Sequence, residues 1–254
     1  MWEKKQEGGA SIRRIGQNAA MQAVKALVFD VFGTLVDWRT SIAREARATL
    51  ELRGVKIDWN AFADAWRDQY QPAMELVRSG KLPFSKLDVL HRRNLDVIVE
   101  QFGLRDIDEA TRVHLTLAWH RLDAWPDVSA GLARLRARYR LAPCSNGNIS
   151  LMVDLARCNG FVWDAILGAE IARDYKPKPV VYLSAAAAFD CAPAETMMVA
   201  AHSSDLAAAA AVGLRTAFIA RPDEHGPGTG ESAAKVPVDV SANGLIELAE
   251  KLGC

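Results

Sequence analysis

Residues 28–38 read V-F-D-V-F-G-T-L-V-D-W, from Val28 to Trp38. An apolar strand ends on a carboxylate, Asp30, and the chain then turns through Gly33 and Thr34. Two places past the acid stands Phe32, not a second acid. An acid at the carboxyl end of a strand sits at the rim of a sheet, where open α/β folds bind their ligands.

Outward from this stretch, short apolar runs recur at Val24–Phe29, Arg140–Ser145, Ala165–Gly168, Thr196–Ala201 and Thr216–Ala220. Such runs suit strands covered on both faces. Helical patterns lie between them at Val128–Arg138, Ile149–Cys158, Val180–Phe189 and Leu206–Val212. Asn148 or Ser150 is placed to cap the second, and Gly160 and Gly213 stand where helices should stop. The alternation predicts an α/β fold with a doubly wound, Rossmann-like parallel sheet. After the Gly/Pro-rich loop 222–230, a last helix is expected over Asn243–Leu252, capped by Ser241.

From Thr40 to Leu122 the rhythm changes. Ala63, Arg67, Tyr70 and Met74 fall at helical spacing on one face. Four helices are expected, over Ser41–Leu52, Asn60–Arg78, Ser85–Phe102 and Glu109–His120. The chain then divides into an α/β core, 21–38 plus 123–254, and a helical cap, 39–122, inserted after the first strand. Residues 1–20 are expected to be a flexible leader, or an extension ahead of a start at Met21. They lack the apolar segment of a secretory signal.

Half of the 254 residues are hydrophobic, enough for a sizeable core. Lysines plus arginines equal aspartates plus glutamates at 31 each, which leaves no footprint of a nucleic-acid or membrane-surface partner. No apolar run reaches spanning length. Cys144, Cys158, Cys191 and Cys254 match neither a zinc site nor a disulfide framework, and read as thiols of a reduced cytoplasm.

Four strand ends carry polar side chains: Asp30; Ser145 and Asn146; Lys176 in D-Y-K-P-K-P; His202 and Asp205. Singly, these read as a turn cap, a turn, a loop lysine and a helix-start acid, and His202 as a spacer. Together, in this order, they converge on one crevice of a parallel sheet. There a carboxylate serves as covalent nucleophile if it stays ionised. Turn amides and the Lys176 ammonium favour that form of Asp30. Asp205 is placed to pair with Lys176 or to steer the water that hydrolyses the ester.

These residues resemble the haloacid dehalogenase superfamily across residues 21–254. Its motifs are matched by Asp30 with Gly33 and Thr34, by Ser145, by Lys176 and by Asp205. Phosphatases of that superfamily carry a second acid where this chain has Phe32, and use their acids to hold Mg²⁺. A halide leaving group needs no proton. Phe32 therefore favours the (S)-2-haloacid dehalogenase branch, which D-V-F-G-T-L-V-D-W, C-S-N-G-N and D-Y-K-P-K-P also resemble.

The resemblance implies hydrolysis of a small halogenated carboxylic acid, with no metal or other cofactor, in the cytoplasm. A homodimer is one assembly it allows. Asp30 would attack the halogen-bearing carbon, and water would release the 2-hydroxy acid with inverted configuration. Arg67 and Asn146 would bind the halide. Ser145 and the amides near Val31 and Phe32 would hold the substrate carboxylate, alongside Thr34. Phe32, Trp66 and Phe84 would form apolar walls. The chain departs from the family at Ala200, Ala201 and His202, where serine and asparagine are common, so His202 becomes a candidate base. Phe32, Trp66, Tyr70 and His202 are bulky enough to make fluoroacetate a candidate substrate. The rivals are a Mg²⁺-dependent phosphatase of small phosphate esters and a non-catalytic binding domain on the same scaffold.

Overall fold

The computed structural model describes residues 23–254; the expected leader and the start at Met21 lie outside them. Six strands form one sheet: β1 Ala26–Phe29, β4 Arg140–Ser145, β5 Leu167–Gly168, β6 Thr196–Ala200, β7 Arg215–Ile219 and β8 Val240–Ala242. The order is β5-β4-β1-β6-β7-β8, and every pairing is parallel. β1 is central, and its alternate residues explain why it is apolar throughout. Leu27 and Phe29 enter one core cluster, Ala26 and Val28 the other. Helices α6 Val128–Arg136, α7 Ile149–Asn159 and α11 Leu245–Lys251 bury Leu132, Leu155 and Leu248 in the first cluster. Helices α9 Pro179–Ala187 and α10 Ser203–Ala211 bury Val181 and Leu206 in the second. The short α8, Ala169–Ala172, follows β5.

The expected doubly wound α/β sheet is thus present, with one strand more than the sequence pattern indicated. Ser241 lies inside β8 and caps nothing; α11 begins at Leu245, after Gly244. A three-residue strand is too short to show period-two alternation. Gly160 ends α7 in the left-handed conformation, φ +71°, as its position implied.

Between residues 38 and 122 the chain is helical: α1 Trp38–Leu50, α2 Trp59–Asp68, α3 Tyr70–Arg78, α4 Leu87–Gln101 and α5 Glu109–Thr116. Asp37, Asp58 and Asp108 cap α1, α2 and α5 by accepting backbone N–H bonds. The single helix expected over 60–78 is broken at Gln69. Pro72 has no N–H to give to residue 68, so it is tolerated only in the first turn of a new helix, α3. The chain enters and leaves this helical segment through a two-residue antiparallel pair, β2 Val36–Asp37 and β3 Asp123–Ala124. Among the described residues no helix is long and apolar enough to cross a membrane.

Candidate active site

The carboxyl ends of β1, β4 and β6 flank the point where the chain leaves β1 in one direction for β4 and β5, and in the other for β6 to β8. A cavity of about 350 Å³ lies there, lined among others by Asp30, Phe32, Asn146, Lys176, His202 and Asp205. Arg67, Tyr70 and Gln71, from the helical segment, close its other side.

Asp30 is buried and held by three side chains. Its Oδ1 accepts from Lys176 Nζ at 2.7 Å. Its Oδ2 accepts from Thr34 Oγ1 at 2.7 Å and lies 3.0 Å from His202 Nδ1. Burial alone would push this carboxyl up. The Lys176 ammonium and the His202 ring outweigh burial and hold it well below the usual carboxylate range. The nucleophile candidate is therefore ionised at neutral pH. Lys176 Nζ also donates to Asp205 Oδ2 at 2.5 Å, and Tyr182 donates to Asp205 Oδ1 at 2.6 Å. Burial disfavours the Lys176 charge, but Asp205 and Asp30 keep its pKa well above the ordinary lysine value.

A hard cation such as Mg²⁺ requires about six oxygen ligands. The residues present do not fit one. Position 32 is an aromatic ring, both Asp30 oxygens already accept hydrogen bonds, and the Lys176 ammonium bridges the two acids.

His202 is wedged between two carboxylates. Its Nδ1 faces Asp30 and its Nε2 lies 2.9 Å from Glu224 Oε2. Burial pushes the imidazole down, yet the bonds to Asp30 and Glu224 raise it to about 10. A base needs a free lone pair, and an imidazolium has none. Both ring nitrogens of His202 face carboxylates, a geometry that supports a charged donor over the expected histidine base.

Arg67 reaches in from α2. Its guanidinium carbon lies 4.1 Å from the Tyr70 ring centroid, 5.2 Å from that of Trp38 and 5.8 Å from that of Phe32. Its Nη1 is buried with no hydrogen-bond partner among the described residues. A buried cationic donor without an acceptor, framed by aromatic rings at a cavity wall, is an anion site in waiting.

The remaining expected residues divide. Asn146 lines the cavity, and its Oδ1 accepts from Lys176 N at 2.9 Å, which leaves its amide NH₂ on the Tyr70 side as the donor end. Ser145 is fully buried, and its Oγ accepts from Gly147 N, so it shapes the turn and does not line the cavity. Thr34 is also fully buried. It accepts from Ala201 N at 2.9 Å and donates to Asp30, so it fixes the nucleophile and does not reach a ligand. Val31 is buried, and its carbonyl accepts the amides of Leu35 and Val36, which holds the turn closed. Trp66 and Phe84 are not cavity walls. Trp66 turns into the helical bundle, donating to His91 O and packing on Phe62 and Trp119. Phe84 packs on Tyr175 and under Arg173. Period alone cannot say which of two adjacent helix residues, Trp66 or Arg67, meets the sheet edge.

Sequence reading missed Tyr182, Gln71 and Glu224. Glu224 had a signal in retrospect: an acid in a loop leaving the carboxyl end of a strand. It is 2% exposed, and Trp38 Nε1 donates to it at 3.0 Å. Gly33 makes room for it. At φ +82°, a Cβ on residue 33 would lie 2.1 Å from Glu224 Oε1.

Residues 24–213 match the family model of haloacid dehalogenase-like hydrolases. The chain is 29% identical over 211 residues to (S)-2-haloacid dehalogenase 1 of Pseudomonas sp. (strain CBS-3), covering 81% of this chain and 89% of that one. It is 27% identical to haloacetate dehalogenase H-2 of Moraxella sp. (strain B), over 79% and 88% of the two chains. Among solved structures it superposes on a defluorinating L-2-haloacid dehalogenase with a TM-score of 0.88 and 44% identity, over 91% and 96% of the chains. The chain belongs to the haloacid dehalogenase-like hydrolases, in their L-2-haloacid dehalogenase branch.

Proposed function

We propose that this enzyme hydrolyses the carbon–halogen bond of short 2-haloalkanoic acids, haloacetate and (S)-2-halopropionate, through an ester on Asp30. The observation that carries the proposal is the pairing across one small cavity of an ionised Asp30 with Arg67 Nη1, which has no partner among the described residues. The nucleophile stands on the sheet and the anion donor on the helices, as a displacement with a departing halide requires.

In this mechanism Asp30 attacks the halogen-bearing carbon on the side opposite the halogen. The halide leaves with the bonding pair toward Arg67 and the Asn146 amide. Water then adds to Cγ of Asp30 and releases the 2-hydroxy acid, which keeps an Asp30 oxygen. Configuration inverts once, in the first step. No metal takes part; Lys176 neutralises the acids that a metal-dependent relative would use for Mg²⁺. Residues 39–122 serve as a cap that carries Arg67 over the core, 21–38 and 123–254. Fluoroacetate falls within the proposed range. Its support is the cavity's small volume and the 44% identity to a relative described as defluorinating. Four free thiols support a cytoplasmic enzyme.

The test is free halide from (S)-2-chloropropionate, chloroacetate and fluoroacetate with EDTA present, beside Asp30→Asn. Halide that survives EDTA and vanishes in the variant is expected. No halide, with Mg²⁺-dependent phosphate release from p-nitrophenyl phosphate instead, would favour the phosphatase rival.

A further inference from the structure

Glu224 closes a chain of charges that begins at the nucleophile. Asp30 Oδ2 faces Nδ1 of His202 at 3.0 Å, and Nε2 of the same ring faces Glu224 Oε1 and Oε2 at 3.1 and 2.9 Å. Trp38, from the helical segment, holds Glu224 from the far side. With a carboxylate at each ring nitrogen, a neutral imidazole would point one lone pair at an anion. Only the doubly protonated ring donates to both. The other charges around the ring are Lys176, bound to Asp30 and Asp205; Arg67, on the Glu224 side; His225, 3.7 Å from Glu224; and Glu231, which holds Ser203 next to His202.

The two oxygens of Asp30 are not equivalent. Oδ2 accepts two hydrogen bonds, from Thr34 and His202, whereas Oδ1 accepts one, from Lys176. Oδ1 therefore keeps the lone pair for attack and becomes the bridging oxygen of the ester. Oδ2 becomes the ester carbonyl oxygen.

We propose that Glu224 is a positioning residue for ester hydrolysis: it holds His202 as an imidazolium whose Nδ1–H, with the Thr34 hydroxyl, forms the oxyanion pocket for Asp30 Oδ2. The inference rests on the aspartyl-ester reading. When water adds to Cγ, the carbonyl π pair moves onto Oδ2, where these two donors meet the charge. Collapse re-forms the π bond and breaks Cγ–Oδ1. The departing oxygen takes one proton of the attacking water. The other proton is released to solvent as the Asp30 carboxylate returns.

The test compares Glu224→Gln with the wild type in quenched-flow turnover of (S)-2-chloropropionate, reading free halide and the mass of the Asp30 peptide. Gln still accepts from Trp38 but turns its NH₂ toward Nε2, so His202 loses the added proton while its Nδ1–H stays on Asp30. The halide burst is expected to change by no more than about twofold, while ester hydrolysis slows on the order of 10²-fold and ester accumulates. The hydrolysis rate of the variant is expected to fall as pH rises through the ordinary histidine range, where the wild type stays flat. Glu224→Asp is expected to restore part of the flat profile. A variant with wild-type ester level and pH profile overturns the inference. If the variant does not fold, histidine-labelled wild-type protein decides it by NMR. An imidazolium at pH 8 supports the inference, and a neutral His202 overturns it. Wild-type protein that releases no halide at all defeats the dehalogenase reading instead, and the NMR titration still reports on the Glu224–His202 pair.

Discussion

The Arg67 guanidinium carbon lies 4.1 Å from the centroid of the Tyr70 ring, across the break between α2 and α3. The contact confines the guanidinium, whose Nη1 has no hydrogen-bond partner among the described residues. Lysine has a charge but neither the plane nor the fork. Arg67→Lys is expected to lower kcat/KM for (S)-2-chloropropionate about 10²-fold, with the circular dichroism of the wild type retained. An unchanged kcat/KM would remove Arg67 from the halide site.

A second expectation concerns stability against pH. His202 is raised from 6.5 to about 10, so its contribution is complete below pH 6.5 and is lost as pH rises toward about 10. Asp30 is lowered from 3.8, so its contribution is complete above pH 3.8 and is lost as pH falls through its folded value. Lys176 titrates above 10.5, outside the His202 window. His202→Gln is expected to shrink the decline in Tm between pH 6.5 and 10, leaving the part contributed by His120, raised by Asp88 and Asp154, and above pH 9 by the buried Cys144 thiol. Thermal melts of both proteins across that window decide it; curves that stay parallel would count against the buried imidazolium.

How much of this was legible in the sequence depends on the range over which each signal acts. Asp30, Lys176 and Asp205 were legible because parallel topology forces strand ends together, whatever the loops do. β1 was legible because burial on both faces leaves it wholly apolar. Trp66 and Phe84 were misplaced because an aromatic residue on a helix reads the same whether it faces a cavity or a bundle. Glu224 was missed because nothing local marks a loop acid as buried. Its burial comes from Trp38, 186 residues away in sequence, and from His202. The sequence shows a histidine at position 202, but its charge state depends on that distant carboxylate.

Gly33 tests the same carboxylate from below. At φ +82° any Cβ is strained by roughly 1–2 kcal/mol, and here it would also overlap Glu224. Gly33→Ala is expected to lower Tm and, by displacing Glu224, to slow ester hydrolysis in the manner of Glu224→Gln. A loss of stability with normal ester turnover would mean that the loop relaxes without moving His202.

Phe32 stands where the family resemblance places a second acid in the metal-using phosphatases, which makes Phe32→Asp the natural attempt at conversion. The ring packs edge-on against Tyr70 and Trp119, with centroids at 6.2 and 5.8 Å, and is 2% exposed. Removing it costs roughly 3–5 kcal/mol. An aspartate there would be buried among aromatic rings, and its pKa would rise above the unfolded value. The defect is therefore expected to be smallest at acid pH and to grow as pH rises past about 4. Mg²⁺-dependent phosphatase activity is not expected, because the Lys176 ammonium still bridges Asp30 and Asp205 and His202 still holds the second Asp30 oxygen. Thermal melts at pH 5 and pH 8, with and without Mg²⁺, and p-nitrophenyl phosphate turnover check both halves. Mg²⁺-dependent turnover would show that one acid suffices to displace the ammonium.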